Sequence, residues 1–145
     1  MIFITGATGL LGTGLTSRLL AGSDSRIFVL VRALSSEEAA RRLKSFWAED
    51  RMLCDAIGHR IVPVVGDITK EWLGLDADMK SALLAGCTHV IHCAAETGVQ
   101  KSREEIWRIN VEGTRNVVEL AKLMPSLQRF VHISTAYVAG SRNGK

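Results

Sequence analysis

The sequence has few of the features that mark disulfide-rich, metal-binding or nucleic-acid-binding proteins. Its three cysteines, Cys54, Cys87 and Cys93, are far apart and form no CxxC pair, which argues against a disulfide framework and a structural zinc site. Basic residues do not cluster with aromatics, and the net charge is only +3, so nothing favours nucleic acid as a partner. No apolar run is long enough to span a bilayer. We therefore expect a protein of the reducing cytoplasm with free thiols, no metal site and no membrane segment.

The order of apolar segments predicts a single domain of the α/β class within these 145 residues. Short, nearly continuous apolar runs predict strands that are buried on both faces of a parallel sheet. These runs are Ile2–Thr5, Ile27–Val31, Ile61–Val65, His89–His92 and Arg129–Ile133. Between them lie predicted helices at Leu10–Leu20, after Ser35, at Asp76–Leu84 and at Glu104–Met124. The alternation predicts a doubly wound parallel sheet, the Rossmann architecture.

Local signals mark where some of these helices begin. Ser35 is followed three residues later by Glu38, and Ser102 by Glu105, and both pairs have the spacing of a capping box. Residues 50–59 have no clear periodicity, and we expect a helix end followed by a surface loop there.

Three glycines mark the passage from the first predicted strand to the first helix, in the stretch TGATGLLG. Gly6 allows a tight turn, Gly9 lets the backbone approach a pyrophosphate, and Gly12 allows the helix to pack closely on the strand. N–H groups and the helix dipole at this point favour a bound anion. The alternative is that the glycines serve the turn and the packing alone. Their position between a strand and a helix favours a dinucleotide site.

The second strand ends in VLVRA, which places Arg32 where an NAD-selective site usually has an acidic residue for the ribose hydroxyls. A guanidinium there makes charge-assisted, often bidentate contacts with a 2′-phosphate. Arg41 and Arg42 follow on the next helix. Arg41 is better interpreted as a solvated helix residue. For Arg42 two roles stay open, a solvated helix residue and a phosphate contact. The sequence therefore favours NADP over NAD.

Five blocks of sequence, taken in order, resemble those of the extended short-chain dehydrogenase/reductases. They are TGATGLLG, GDIT after the third strand, HCAAETG after the fourth, NVEGTRNVVELA in the fourth predicted helix, and HISTAYVAG at the fifth strand. Within that family, LVRA followed by AARRL, with HISTAYVAG, is most similar to the thioester reductase and fatty acyl-CoA reductase branch, the male-sterility type of NAD-binding domain. The resemblance covers essentially the whole chain. It implies NADPH-dependent reduction of a carrier- or CoA-bound acyl thioester to an aldehyde or alcohol.

The resemblance also assigns cofactor contacts by position. Asp67 and Ile68 would border the adenine, although a turn aspartate beside a core isoleucine is the alternative. Small residues after the fourth strand would run along the cofactor ribose. The full set of implied cofactor contacts is Gly6, Thr8, Gly9, Leu10, Leu11, Gly12, Arg32, Arg42, Asp67, Ile68, Cys93, Ala94 and Ala95. His92, which ends a buried strand, is interpreted as a core or edge histidine and not as a catalytic one.

The implied catalytic residues are Thr135, Ser134 and Asn110. Thr135, with Ser134 beside it, matches the family's hydroxyl donor to the substrate carbonyl, where negative charge develops during hydride transfer. Asn110 matches an asparagine that supports a relay to the catalytic lysine in the family. A purely structural bond from Asn110 to the backbone is compatible with that role.

Tyr137 does not fit the role of proton donor. In the family that donor lies in a YxxxK motif on the next helix, where the lysine lowers the tyrosine pKa. Four residues after Tyr137 comes Ser141, and Lys145 is at the wrong spacing. We interpret Tyr137 as a pocket or packing aromatic. We expect residues 1–145 to be the amino-terminal, NADP-binding part of a larger reductase, with the Rossmann sheet incomplete at its carboxy-terminal end.

Two other functions compete with this interpretation. A nucleotide-sugar epimerase or dehydratase would hold NAD tightly, but such enzymes more often have an acidic residue at the position of Arg32. A non-catalytic NAD(P)-binding regulatory module would also lack the Tyr–Lys pair. Such regulators contain a complete domain, so an amino-terminal part of a reductase accounts better for the missing motif.

Overall fold

The computed structural model describes residues 1–98 and 100–135. Within them, five strands lie at Ile2–Thr5 (β1), Ile27–Val31 (β2), Ile61–Val65 (β3), His89–His92 (β4) and Arg129–His132 (β5). The α-helices are Leu10–Gly22 (α1), Ser36–Phe46 (α2), Arg51–Ala56 (α3), Ala77–Gly86 (α4), Arg103–Trp107 (α5) and Thr114–Lys122 (α6). A 3₁₀ segment lies at Glu71–Gly74, and a π-helical segment at Arg108–Gly113 joins α5 to α6.

All five strands are parallel and follow the order β3-β2-β1-β4-β5. Ile4 in β1 lies opposite Val29 of β2 on one side and Ile91 of β4 on the other. The chain leaves β1 toward β2 and later returns to the other side of β1, so the strand order reverses between β1 and β4. In sheets of this kind a ligand binds outside the carboxyl ends of the strands at that reversal. The doubly wound fold predicted from the alternation of elements is confirmed.

The sheet separates two apolar cores because successive side chains of a strand point to opposite faces. On one face, Ile2 and Ile4 pack with Leu43 of α2 and Leu53 of α3. On the other face, Phe3 packs with residues of α4 and α6, among them Leu83 and Val117. Helices thus cover both faces. Within the described ranges, no helix has the length and hydropathy needed to cross a bilayer.

The structure differs from the helix end and surface loop predicted at residues 50–59. A short helix, α3, lies there, and Asp50 caps it by accepting a hydrogen bond from the N–H of Leu53 at 3.1 Å. Leu53 is fully buried in the core. Six residues are too few to display a helical period, so the burial of one leucine stabilises an element that the sequence pattern did not reveal.

Two further differences concern the carboxyl half. The predicted helix Glu104–Met124 begins at Arg103, with the capping box of Ser102 and Glu105 confirmed, but the π segment interrupts its regular winding. The strand predicted at Arg129–Ile133 ends at His132 and is largely exposed, whereas burial on both faces was predicted. In the described part of the sheet β5 is an edge strand, which accounts for its exposure.

Candidate cofactor-binding site

A crevice of about 270 Å³ opens at the carboxyl ends of β1 to β4, where the strand order reverses. Most of the cofactor contacts predicted from the sequence line it. These are Gly6, Thr8, Gly9, Arg32, Arg42, Asp67, Ile68, Cys93, Ala94 and Ala95. They come from four different β–α connections, and the fold brings them together because parallel strands end on the same edge of the sheet.

The glycine turn forms the floor of this crevice. Gly6 has φ +73°, and a Cβ at this position would overlap the backbone of Ala94. The N–H of Gly9 donates to the carbonyl of Gly6 at 3.1 Å, and the N–H of Thr13 donates to Gly9 at 2.8 Å, which begins α1. Among the described residues, no side chain caps α1 at Gly9. The first N–H groups of α1 therefore have the character of an anion-binding helix terminus.

Leu10, Leu11 and Gly12 do not line the crevice. Leu10 is 92% exposed and Leu11 61% exposed at the start of α1. Gly12 is buried, and a Cβ there would overlap the carbonyl oxygen of Gly6. Gly12 thus has the packing role predicted from its spacing, whereas direct cofactor contacts for these three residues stay predictions.

Arg32 and Arg42 line the crevice and also line an adjoining pocket with Lys70 and Glu38. The carboxylate of Glu38 accepts a hydrogen bond from the N–H of Leu34 at 2.8 Å. The side chain of Lys70 runs over Gly74, where a Cβ would approach its Cδ to 3.0 Å. Three cationic side chains therefore converge beside the end of β2. Lys70 was not predicted, since its place depends on the turn at Gly74.

The loop after β3 is held from two sides. Asp67 accepts hydrogen bonds from the N–H and the hydroxyl of Thr69, both at 2.9 Å, and its own N–H donates to the carbonyl of Leu73 at 2.7 Å. The side-chain amide of Asn116 donates to the carbonyl of Ile68 at 2.8 Å. Asp67 and Ile68, which the resemblance assigns to the adenine, are thus fixed at the mouth of the crevice.

The carbonyl that holds Asp67 belongs to a strained turn. Trp72 and Leu73 have φ values of 52° and 59°, and Gly74 has 62°. The left-handed region is costly for residues other than glycine and persists only where surrounding contacts enforce it. Leu73 is fully buried, and the Nζ of Lys80 lies 3.6 Å from the ring centroid of Trp72. These contacts stabilise a turn that local sequence signals do not predict.

The segment after β4 forms the opposite wall of the crevice. Burial raises the pKa of the Cys93 thiol, so that the neutral thiol is favoured, in keeping with its interpretation as a packing residue. The side chain of Asn110 accepts from the N–H of Glu96 at 2.7 Å and donates to the carbonyl of Glu96 at 2.9 Å. Asn110 thus fixes the end of this segment, and its part in a catalytic relay stays a prediction.

His92 is a buried histidine with partners on both ring nitrogens. Nδ1 lies 2.6 Å from the hydroxyl of Thr5, and Nε2 lies 2.9 Å from the hydroxyl of Thr114. The ring stacks on His132 with the centroids 5.3 Å apart. Burial, and secondarily the charge of His132, lowers the pKa of His92 to about 4. The interpretation of His92 as a core histidine is confirmed.

Ser134 and Thr135 follow β5 on the same edge of the sheet as the crevice, and both are exposed. Neither is among the residues that line the crevice. Tyr137 lies outside the described residues. The catalytic assignments of Ser134 and Thr135 therefore stay predictions.

The fold and the crevice together define an NAD(P)-binding Rossmann domain. A model of an NAD-binding family described as "Male sterility protein" matches residues 4–145. The chain belongs to this family. The assignment agrees with the branch indicated by LVRA followed by AARRL, with HISTAYVAG.

Relatives among curated proteins are much longer than this chain. Over an alignment of 158 positions it is 30% identical to fatty acyl-CoA reductase 8 of Arabidopsis thaliana. The alignment covers 99% of this chain and 32% of that protein. It is 31% identical over 144 residues to fatty acyl-CoA reductase 2 of Homo sapiens, covering 94% and 28% respectively. The chain thus spans less than a third of the length of either relative.

Solved structures agree with these relatives. The terminal R domain from the myxalamid PKS-NRPS biosynthetic pathway is 32% identical with a TM-score of 0.81, over 94% of this chain and 35% of that one. The reductase (R) domain of a nonribosomal peptide synthetase from Mycobacterium tuberculosis is 31% identical with a TM-score of 0.82, over 97% and 34%. The fold of this chain is therefore that of about a third of such reductase domains.

Proposed function

We propose that this chain is the cofactor-binding, amino-terminal portion of an NADPH-dependent reductase that acts on acyl thioesters bound to CoA or to a carrier protein. The crevice at the strand reversal carries the proposal, because it joins an uncapped helix terminus for a pyrophosphate to a cluster of cationic side chains. The names of its relatives, fatty acyl-CoA reductase and R domain of a peptide synthetase, support the substrate class.

The preference for NADP rests on the charges beside β2. Arg32, Arg42 and Lys70 line the adjoining pocket. The carboxylates of Glu38 and Asp67 also line it, and they accept hydrogen bonds from the N–H of Leu34 and from Thr69 respectively. A 2′-phosphate would therefore meet guanidinium and ammonium donors. An NAD site would instead need a carboxylate for the ribose hydroxyls at the position of Arg32. The sequence alone did not decide whether Arg42 contacts a phosphate. We include Arg42 in this proposal because it lines the same pocket as Arg32.

The remaining site residues would bind the cofactor and orient the substrate. NADPH, when bound, supplies the hydride that, with a proton, converts a thioester into an aldehyde and a free thiol. The Gly6–Gly9 turn would hold its pyrophosphate, and the Cys93–Ala95 segment would pack along its ribose. The hydroxyl of Thr135 would donate to the substrate carbonyl, where it would stabilise developing negative charge. The sequence contains no YxxxK motif, so we assign the proton donor to no residue of this chain.

Titration with the two reduced cofactors tests this proposal. The intrinsic fluorescence of the protein is followed as NADPH and, separately, NADH is added. We expect NADPH to bind at least tenfold more tightly, a difference of about 1.4 kcal/mol. Tighter binding of NADH would contradict the NADP assignment and favour a nucleotide-sugar epimerase or dehydratase.

Free thiols at Cys54, Cys87 and Cys93 fit the reducing cytoplasm as the proposed compartment.

A further inference from the structure

A chain of hydrogen bonds starts at Thr5, which lines the cofactor crevice, and runs through His92 and Thr114 to Asn110. The hydroxyl of Thr5 lies 2.6 Å from Nδ1 of His92, and Nε2 of His92 lies 2.9 Å from the hydroxyl of Thr114. The hydroxyl of Thr114 donates to the carbonyl of Asn110 at 2.7 Å. The hydrogen-bond chain therefore connects β1, β4 and the helical segment that contains Asn110 through the buried imidazole of His92.

The Thr114 end of this hydrogen-bond chain fixes the direction of the bonds to His92. A carbonyl oxygen only accepts, so Thr114 gives its proton to Asn110 and must accept from Nε2–H of His92. At the other end, the N–H of Ala94 donates to the hydroxyl oxygen of Thr5 at 3.4 Å. Because a neutral imidazole with its proton on Nε2 has a bare Nδ1, the hydroxyl of Thr5 donates to Nδ1. Only the neutral Nε2–H tautomer of His92 satisfies this arrangement.

The hydrogen-bond chain contacts both ends of the segment Cys93–Glu96, which forms one wall of the crevice. At its start, the N–H of Cys93 donates to the carbonyl of Thr5 at 3.0 Å, next to the bond from Ala94. At its end, Asn110 forms two hydrogen bonds to the backbone of Glu96, at 2.7 and 2.9 Å. The two residues that grip the segment are thus joined to each other through His92 and Thr114.

The winding of the helix supports this connection. Asn110 lies in the π-helical segment Arg108–Gly113, and Thr114 begins the regular helix that follows. The carbonyl of Asn110 accepts from Thr114 while its side-chain amide contacts Glu96. Single π turns within helices frequently occur at functional sites. An apolar residue in place of His92 would leave the buried hydroxyl of Thr5 and that of Thr114 without this partner, which is costly.

We propose that His92, as the Nε2–H tautomer, is a positioning residue that holds the Cys93–Glu96 wall of the crevice in register with Thr5 and Asn110 for cofactor binding. The inference deepens the proposed function and rests on it for the identity of the cofactor. It differs from a general packing role, because it requires one tautomer and a hydroxyl at residue 114.

Substitutions at Thr114 separate positioning from packing. Thr114→Val keeps the shape of the side chain and removes the hydroxyl, whereas Thr114→Ser keeps the hydroxyl. Thr88→Val is the matched control, because its hydroxyl also donates to a backbone carbonyl, that of Met1 at 3.0 Å, but lies before β4 at the other end of the sheet. We expect Thr114→Val to raise the Kd for NADPH about fivefold or more. Thr114→Ser and Thr88→Val should stay within about twofold of the original protein.

Nuclear magnetic resonance tests the hydrogen-bond chain in the absence of any cofactor. Long-range ¹H–¹⁵N spectra of the unsubstituted protein at pH 7 should show His92 protonated on Nε2 alone. In Thr114→Val, but not in Thr88→Val, the amide signals of Ala94 and Glu96 should move. A protonated Nδ1, or unchanged amide signals in a folded Thr114→Val variant, would overturn the proposal. Failure of the unsubstituted protein to bind NADPH would count against the proposed function, while the tautomer and amide signals would still decide on the positioning chain.

Discussion

The indole N–H of Trp47 donates to the carbonyl of Ala7 at 3.2 Å, although the two residues are 40 positions apart in the sequence. Trp47 follows α2 directly, is 1% exposed, and also contacts the hydroxyl of Thr13 at 3.2 Å. The helix before it carries Arg42 to the crevice, and Phe46 lines the same crevice. The bond therefore joins the glycine turn, proposed for the pyrophosphate, to the helix that carries Arg42, proposed for the 2′-phosphate.

Replacing this indole tests the connection. Trp47→Phe keeps a buried ring and removes the N–H donor, so we expect the free energy of unfolding to fall by about 1 kcal/mol. The affinity for NADPH should fall as well, because α2 loses its bond to the turn. Urea denaturation and cofactor titration measure the two effects. Trp107→Phe, at an exposed tryptophan, should change neither. NADPH affinity equal to that of the original protein would show that the turn does not depend on Trp47.

The glycine turn leads to a second prediction, with a control in the helix that follows it. Gly6→Ala forces a Cβ into the left-handed region and against the backbone of Ala94. We expect it to lower the free energy of unfolding by more than about 2 kcal/mol. Gly14→Ala in α1 places a Cβ in open space, and should raise stability by about 0.5–1 kcal/mol. Chemical denaturation compares them, and equal effects of the two substitutions would contradict the assigned role of Gly6.

Much of the fold follows from local sequence signals. Strands β1 to β4 have the predicted bounds, because short runs of β-branched and aliphatic residues between helical stretches are typical of a parallel sheet. Ser35 and Ser102 cap their helices as predicted, and the capping box is complete at Ser102. At Ser35 the carboxylate of Glu38 accepts from the N–H of Leu34 instead of that of Ser35. The glycine turn and Arg32 lie at the crevice because a strand–turn–helix unit fixes their place relative to the sheet edge.

The contacts that the sequence did not reveal join residues that are distant along the chain. Thr5 and His92 are separated by 87 positions, and Trp47 finds its acceptor 40 positions away. A buried indole or imidazole requires partners, but a single sequence does not indicate which ones. The left-handed turn at Leu73 and the π segment around Asn110 likewise depend on tertiary contacts that outweigh local preference.

Arg32 leads to a prediction about cofactor choice. Arg32→Ala removes a guanidinium from the pocket beside β2, so we expect the Kd for NADPH to rise at least tenfold while that for NADH changes less than twofold. Arg41→Ala is the matched control, since Arg41 lies on α2 without lining the crevice or the adjoining pocket. Equal losses for NADPH and NADH in Arg32→Ala would exclude a contact with the 2′-phosphate.

The lowered pKa of His92 predicts how stability depends on pH. The pKa is about 4 in the folded protein and 6.5 ordinarily. As the pH falls below 6.5, the unfolded chain binds a proton that folded His92 does not accept, so the contribution of His92 to stability is lost between pH 6.5 and 4. The loss should reach about 3 kcal/mol. His132 on β5 is the titratable group that stacks on it, whereas β1 and α6 present the hydroxyls of Thr5 and Thr114.

A comparison of unfolding free energies isolates this contribution from that of the carboxyl groups. His92→Gln has no titrating group at this position and keeps every carboxyl group of the chain. Urea denaturation of both proteins at pH 7 and at pH 4.5 should show the larger loss in the original protein, by about 2–3 kcal/mol. If both proteins lost the same free energy, His92 would not be held neutral by its burial, and the tautomer required by the positioning chain would lose its physical basis.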